Sequence, residues 1–537
     1  MRIVGVNRRQ EDGRVVGRRV PSRIHASQTS VNDLEQEDKK EEEEAAAALP
    51  KEVPVLEFVR CELHEDEEEI DQLERYLQRV GACIESREDY EGRLVVNPET
   101  TLSALPSSYL KDVIRQIRGF NIKPLQRQKI SGADNVKAEG SGEEILLQGF
   151  HWDSWKQEGG WYGTLGEQAE AIADAGFTMI WLPPPTESVS PQGYMPRDLY
   201  HLESKYGSQE DLIDLIRVFQ SKGVKVLGDA VLNHRCAHEQ NEQGVWNQFG
   251  GRMDWDARAI VRDDPNFHGR GNFSSGDVFT AAPNIDHSQE FVKNDVGEWL
   301  VWLRTNIGFD GWRLDFVKGF HGSHVKDYLE VSKPLFSVGE YWDALEYEWD
   351  GTPKLNQDAH RQRTVDWINA AGGLSTAFDI TTKGILHAVF ERCEYWRLSD
   401  AQGHPPGLVG WWPSRAVTFL ENHDTGSTQG HWRFPHHALE QGYAYILTHP
   451  GTPCVFYDHM FHDEHLSHVI KRLIALRKEL GIHCRSTVTI LQATNDVYAA
   501  RIDDALVVKL GPGDFHPRDE ECHIADRGHA WAVWRLS

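Results

Sequence analysis

The chain has 537 residues, of which 39% are hydrophobic and 26% charged, and its 83 Asp and Glu outweigh 57 Lys and Arg for a net charge of −26. Such acidity argues against nucleic acid as the main partner and against docking on anionic lipid, because both need clustered cations. No apolar run approaches the ~18 residues that span a bilayer, so the reading is a soluble enzyme, expected to be monomeric, acting on a neutral or cationic substrate.

The seven cysteines (Cys61, Cys83, Cys236, Cys393, Cys454, Cys484 and Cys522) are scattered with no CxxC pair, which is neither a disulfide framework nor a zinc site. The first residues are Arg-rich without an apolar stretch, a candidate organelle transit peptide weakened by Glu11-Asp12. With the acidic run around Glu41–Glu44 and Ala45–Ala48, residues 1–54 read as a disordered segment. Residues 55–121 regain pattern. A strand is expected at Val55–Val59, a helix with Ile70, Leu73, Leu77 and Val80 on one face, and a second helix at Tyr109–Ile117. This is a small α/β appendage, followed by a polar linker over 122–143.

From Glu144 a repeating unit begins. Ile145–Leu147 is a short apolar strand, then Thr164 caps a helix carrying Leu165, Ala169 and Ile172, and Gly176-Phe177 leads into a strand at Thr178–Leu182. The unit recurs with Ser208 as cap and a strand around Val226–Asp229, then with Ser288 as cap and a strand at Trp312–Phe316. A helix-ending Gly followed at once by a buried strand is an αβ loop, and its serial repetition implies a parallel sheet. The interval from Gly223 to Gly308 is far longer than that from Gly176 to Gly223, so an insertion follows the third strand. Further strands at Leu335–Val338, Thr376–Phe378, Ala416–Leu420 and Cys454–Tyr457 complete eight, the number of a (β/α)8 barrel. The expected division is a barrel over 144–475, an inserted domain over 233–285, and a C-terminal antiparallel β domain over 476–537.

Four of these strands end in acids: Asp229, Asp315, Glu340 and Asp424. Strand C-termini of a barrel share one mouth, and a buried run does not tolerate an unpaired carboxylate without cause. Arg313 lies two residues before Asp315 on the same strand face, and His234 and His423 accompany the acids. Paired carboxylates at such a mouth suit glycosidic cleavage, one attacking the anomeric carbon while another, with a raised pKa, protonates the leaving oxygen. Glu340, beside Tyr341-Trp342, has the less polar setting that the acid needs. The adjacent Trp411 and Trp412, before Pro413, are hard to bury together and read as a platform for sugar rings.

The segments Asp229-Ala230-Val231-Leu232-Asn233-His234, Gly311-Trp312-Arg313-Leu314-Asp315, Gly339-Glu340 and Glu421-Asn422-His423-Asp424 resemble the four signature regions of the α-amylase family. The match extends across Gly149 to about Gly511, and Asn233–His238 with Ser274–Asp277 bring it nearest to the plastidial plant type. The resemblance implies a barrel with a B domain after strand three and endo-hydrolysis of α-1,4-glucan links with retention. By motif position it makes Asp315 the nucleophile, Glu340 the general acid/base and Asp424 the transition-state stabiliser. Arg313, His234, His423, Asp229, Tyr194, Lys318 and Trp342 become substrate contacts, and Trp411-Trp412 a remote starch-binding surface. It also implies one Ca²⁺ between B domain and barrel, with Asn233, Asp277, Asn284 and Gly319 at the ligand positions. Asn284 stands where the family has Asp, so the site is expected to be weaker, with Asp264 and Asp277 as compensating acids. The implied location is the plastid stroma, the alternative being the cytoplasm. The alternatives for activity are a glucan transglycosylase on the same scaffold and an inactive starch-binding scaffold. Cys236, two residues beyond His234, is a candidate site of oxidation.

Overall fold

The computed structural model describes residues 140–349, 351–517 and 522–536 in full, and the backbone of four short strands nearer the N-terminus. Those four (Val59–Glu62, Ala82–Ile84, Glu91–Val96 and Lys123–Pro124) form one sheet in which Val59–Glu62 pairs antiparallel with both Glu91–Val96 and Lys123–Pro124. Lys123–Pro124 was expected to begin a linker, but its backbone groups are used in this pairing. The N-terminal segment 1–54 and the two helices expected around Ile70–Val80 and Tyr109–Ile117 lie outside the described residues.

The remaining chain is organised around a closed barrel of eight parallel strands. In chain order they are β1 (Leu146–Gln148), β2 (Met179–Leu182), β3 (Lys225–Ala230), β4 (Gly311–Leu314), β5 (Phe336–Gly339), β6 (Thr376–Phe378), β7 (Ala416–Phe419) and β8 (Thr452–Phe456). Each pairs with its chain neighbours, and β8 closes onto β1 through Cys454 opposite Leu146. Their residues are buried almost throughout, as expected of strands covered by helices outside and by each other's side chains within. Strand β4 ends before the expected Phe316, because Phe316 takes a left-handed backbone (φ 43°) that turns the chain away from the sheet just after Asp315.

The helix signals hold in part. Ser208 caps α2 (Gln209–Ser221) through a reciprocal capping box with Asp211. Thr164 does not cap α1 (Trp161–Asp174): the helix starts earlier, at Gly160, and the Thr164 hydroxyl donates back to the Gly160 carbonyl. Ser288 likewise sits just outside α3 (Glu290–Trp302), its hydroxyl donating to Asp286. Both hydroxyls found nearer acceptors, a competition that the residue type alone does not decide.

Between β3 and β4 the inserted segment buries Phe249, Met253, Trp255 and Ile260 in a core continuous with that of the barrel. Arg235 organises it. Its fully buried guanidinium donates to the carbonyls of Arg197 (2.8 Å), Met253 (2.7 Å) and Gly250 (2.8 Å) and lies over the rings of Phe249 and Trp255. After the barrel, β9 (Val488–Ala493), β10 (Tyr498–Ile502), β11 (Leu506–Leu510), β12 (His523–Gly528) and β13 (Trp531–Arg535) form an antiparallel sheet in the order β9-β10-β11-β13-β12. Replacing Arg235 by Ala strips three carbonyls of their donor, that of Met253 in a buried contact, so R235A should lose about 1–3 kcal/mol of stability. Urea unfolding measures that loss, and limited proteolysis should cut first within residues 233–285.

Candidate active site

The site is built from residues at the C-terminal ends of β1 to β5 and β7. Arg313, on β4, is completely buried at its centre. Its Nη1 donates to Asp229 Oδ1 at 3.0 Å and to Asp315 Oδ1 at 2.6 Å, and its Nη2 lies 2.8 Å from Glu340 Oε1. One guanidinium therefore gathers three of the four expected carboxylates, from the ends of β3, β4 and β5. The parallel register explains how: Arg313 sits directly opposite Asp229 on one side and Val338, two residues before Glu340, on the other. Gly339 permits this, because a Cβ there would meet the Trp367 ring at 2.1 Å.

The surroundings of each acid differ. Asp229 accepts from Trp181 Nε1 (3.0 Å) and from the Tyr194 hydroxyl (2.8 Å). Burial pushes its pKa up, against the pull of Arg313. Burial likewise raises Glu340, to about 8, and the nearby charges of Asp315 and Asp424 add to that while Arg313 opposes it. Its Oε2 accepts only a long bond, 3.3 Å, from the Phe316 backbone N–H. Glu340 is thus an acid that retains its proton near neutral pH, beside an Arg-bound Asp315. Asp424 is more open, with its Oδ2 3.5 Å from His423 Nε2.

The histidines are present as neutral rings. Burial lowers His423 to about 4, and with Gln148 Nε2 against its Nδ1 (2.9 Å) its proton sits on Nε2, towards Asp424. Burial lowers His234 too; it lies 2.9 Å from the Tyr194 carbonyl and stacks on Phe279. Tyr194 stacks in parallel on His423, with ring centres 5.0 Å apart, and Trp152 stacks on both. This makes an aromatic wall beside the carboxylates. Gln148, Trp152 and Trp181 were missed by the sequence reading. All three lie at or just beyond the ends of β1 and β2, so the strand-end rule that found the acids would have found them had it been applied to amides and indoles.

Similarity to known proteins bears on this geometry. The chain is 61% identical over 400 residues to Arabidopsis thaliana "Alpha-amylase 3, chloroplastic", a match that takes in 74% of this chain but only 45% of that relative's length. It is 47% identical over 400 residues to "Probable alpha-amylase 2" of Arabidopsis thaliana, covering 73% of this chain and 94% of that protein.

The chain belongs to the α-amylase family.

The family model of the alpha amylase catalytic domain matches residues 138–333, and that of the alpha-amylase C-terminal beta-sheet domain matches residues 479–535. At the level of fold, an Anoxybacillus α-amylase structure superposes with a TM-score of 0.53 at 16% identity, covering 74% of this chain and 98% of that one.

Other expected residues fall differently within this amylase fold. Lys318 is partly exposed, its Nζ held between Asp343 (2.9 Å) and Asp277 (3.1 Å). Trp342 is half-buried, edge-on to Trp432. Trp411 and Trp412 do not form a two-ring platform. Trp412 is 5% exposed and packed in the core, while Trp411 is 40% exposed with one face on the Arg361 guanidinium, 3.7 Å from the ring centre. The one-turn helix Leu408–Trp411 ends between them, so the two side chains point apart.

At the expected calcium position Asn284 Nδ2 donates to Asp264 Oδ2 (2.7 Å) and to the Phe279 carbonyl (2.6 Å), while its Oδ1 accepts from the Phe279 N–H (2.7 Å) and from Asn233 Nδ2 (3.4 Å). Gly319 backs directly onto the Asn233 side-chain oxygen, where a Cβ would overlap it at 1.9 Å. Asp264 is the carboxylate in this network, and Asp277 instead faces Lys318. Amide hydrogens hold the oxygens together, so the residues as they stand do not fit a tightly held calcium.

Cys236 is a poor redox site. Burial pushes its thiol up to about 11, which leaves well under about 1% thiolate at pH 8. Iodoacetamide at pH 8 should alkylate the exposed Cys393 long before Cys236, as peptide mass mapping over time would show.

Proposed function

We propose that this chain hydrolyses α-1,4-glucosidic links within starch and related glucans, retaining the anomeric configuration. The observation that supports this best is the shared guanidinium: Arg313 pairs with Asp315 and Glu340 through adjacent nitrogens, and burial raises the pKa of Glu340 to about 8. In this reading Asp315, held in place by Arg313, attacks the anomeric carbon. Glu340 gives its proton to the leaving glycosidic oxygen, then as carboxylate takes a proton from the water that releases the product. Asp424, with His423 beside it, faces the positive charge that develops on the sugar ring. Tyr194 and Trp152 supply the flat wall against which that ring lies. His234 and His423, being neutral, contribute hydrogen bonds without adding positive charge to the oxocarbenium-like state. The chain spans about 45% of the length of the chloroplastic relative it matches, and we place it in the plastid on that likeness. No helix among the described residues is long and apolar enough to cross a membrane.

Product analysis on maltoheptaose tests the reaction. Only shorter maltodextrins, released first as the α-anomer by NMR, are expected; products longer than seven units would mean transfer instead. D315N should lose at least about 10⁴-fold in kcat. E340Q should lose about 10²–10⁴-fold on starch but much less on an aryl maltoside whose leaving group needs no proton. Because Glu340 works protonated, kcat/KM should fall as pH rises through about 8, and that alkaline limb should vanish with the aryl substrate.

Calcium belongs to the same proposal in a reduced form. The oxygens of Asn233, Asp264 and Asn284 would hold it only weakly, since the Asn284 amide must first turn. A chelator should therefore move the melting temperature little, whereas N284D, which restores a second carboxylate, should melt higher with calcium than with chelator.

A further inference from the structure

At the rim of the barrel mouth, apart from the carboxylates that Arg313 gathers, the turns after β1 and β8 bring together His151, Asp458 and His462. One ligand-type atom from each lies within 4.8 Å of the other two. Local geometry brings the latter pair together: strand β8 runs directly into the short helix Tyr457–Phe461, and residues four apart on a helix share a face. His462 Nδ1 thus lies 3.1 Å from Asp458 Oδ1.

The cluster is held from outside as a ligand set is. Asp458 Oδ2 accepts from the Ser427 hydroxyl (3.0 Å), whose oxygen in turn accepts from the Trp152 backbone N–H (3.4 Å). Asp458 Oδ1 is buried and has no aligned hydrogen-bond donor despite the closeness of His462. A buried carboxylate oxygen in that state is uncommon. His151 Nδ1 accepts from the Asp153 N–H (3.3 Å), which leaves Nε2 as its free nitrogen. A cavity of about 510 Å³, lined in part by His151, Ser427, Asp458 and His462, opens onto the group.

We propose that His151, Asp458 and His462 bind a divalent first-row transition ion of the Zn²⁺ type. Two imidazoles and one carboxylate, with a fourth position open to water, are the donors such an ion takes, whereas hard Ca²⁺ asks for six to eight oxygens. Around a tetrahedral ion with arms of about 2.0–2.1 Å, donor atoms stand about 3.3 Å apart. The Asp458–His462 pair already has nearly that separation, and the His462 side chain, 56% exposed, is free to close the remainder. An ion here ties the turn after β1 to that after β8 and, through Ser427, to the β7 loop bearing Asp424. Trp152, next to His151, stacks on Tyr194 and His423, so the ion would brace one wall of the active site.

The test uses the full chain freed of metal by a chelator and then dialysed, with Zn²⁺ and Co²⁺ as probes. Calorimetry should find one Zn²⁺ per chain at this site with a raised melting temperature, and Co²⁺ should give the intense visible bands of a four-coordinate ion. H462A should weaken Zn²⁺ binding by more than the roughly 10–100-fold that loss of an outer supporting contact costs, and should abolish both the thermal shift and the Co²⁺ bands. H151N should do the same. H465A, at an exposed histidine paired with Glu440, should change neither. The proposal is overturned if the parent takes up no Zn²⁺, or if H462A binds Zn²⁺ and Co²⁺ as the parent does. His462 is exposed, so the outcome does not depend on whether H151N folds.

Discussion

A single buried cation holds the centre of this molecule together. Arg313 is fully enclosed, and an enclosed guanidinium is tolerable only if its charge is met on several sides. Asp229, Asp315 and Glu340 meet it, each from a different barrel strand or strand end. The arrangement is over-filled with negative charge, and that is the source of its chemistry. Three carboxylates around one cation cannot all ionise at ordinary cost, so those in the driest positions, Asp229 and Glu340, are pushed towards their protonated forms. Removing the cation from such a cluster costs about 3–5 kcal/mol, since the carboxylates are then left buried and uncompensated.

Around that cluster the protein supplies dry, neutral surroundings. Tyr194, Trp152, Trp181 and the two uncharged histidines close the space with rings that donate or accept specific hydrogen bonds but bring no competing charge. Where the family pattern would put another carboxylate, at the contact between inserted segment and barrel, an asparagine stitches the same oxygens with its own hydrogens. Arg235, earlier in the same inserted segment, does a comparable task, satisfying three carbonyls with one side chain. The inserted segment is thus fastened by directed hydrogen bonds between protein groups, which makes its attachment less dependent on a bound cation than a ring of acids would be.

How much of this was legible in the chain can be judged from particular residues. Ser208 read correctly as a cap because its partner Asp211 is three residues away and the interaction is local. Thr164 and Ser288 read wrongly because their hydroxyls had nearby acceptors, the Gly160 carbonyl and Asp286, whose positions depend on where the helix begins. Trp411 and Trp412 were read as a pair because adjacency is visible in a sequence; their separation into one buried and one exposed ring depends on a helix that stops between them. Lys318 was expected at the substrate by motif position alone, and the carboxylates that hold it, Asp277 and Asp343, come from other segments that no short motif shows.

The sequence by itself determined the architecture: eight short apolar runs, three of them preceded by a helical pattern and a Gly turn, leave a parallel barrel as the solution that buries them all, and the acids at the run ends then share one mouth. Only the tertiary structure decided which of those acids meet the same cation, which keeps its proton, and which indoles and amides line the wall. The difference is physical. Periodicity and turn chemistry act over a few residues and are written in the chain locally, whereas charge pairing, desolvation and ring stacking depend on distances across the barrel that exist only after it has closed.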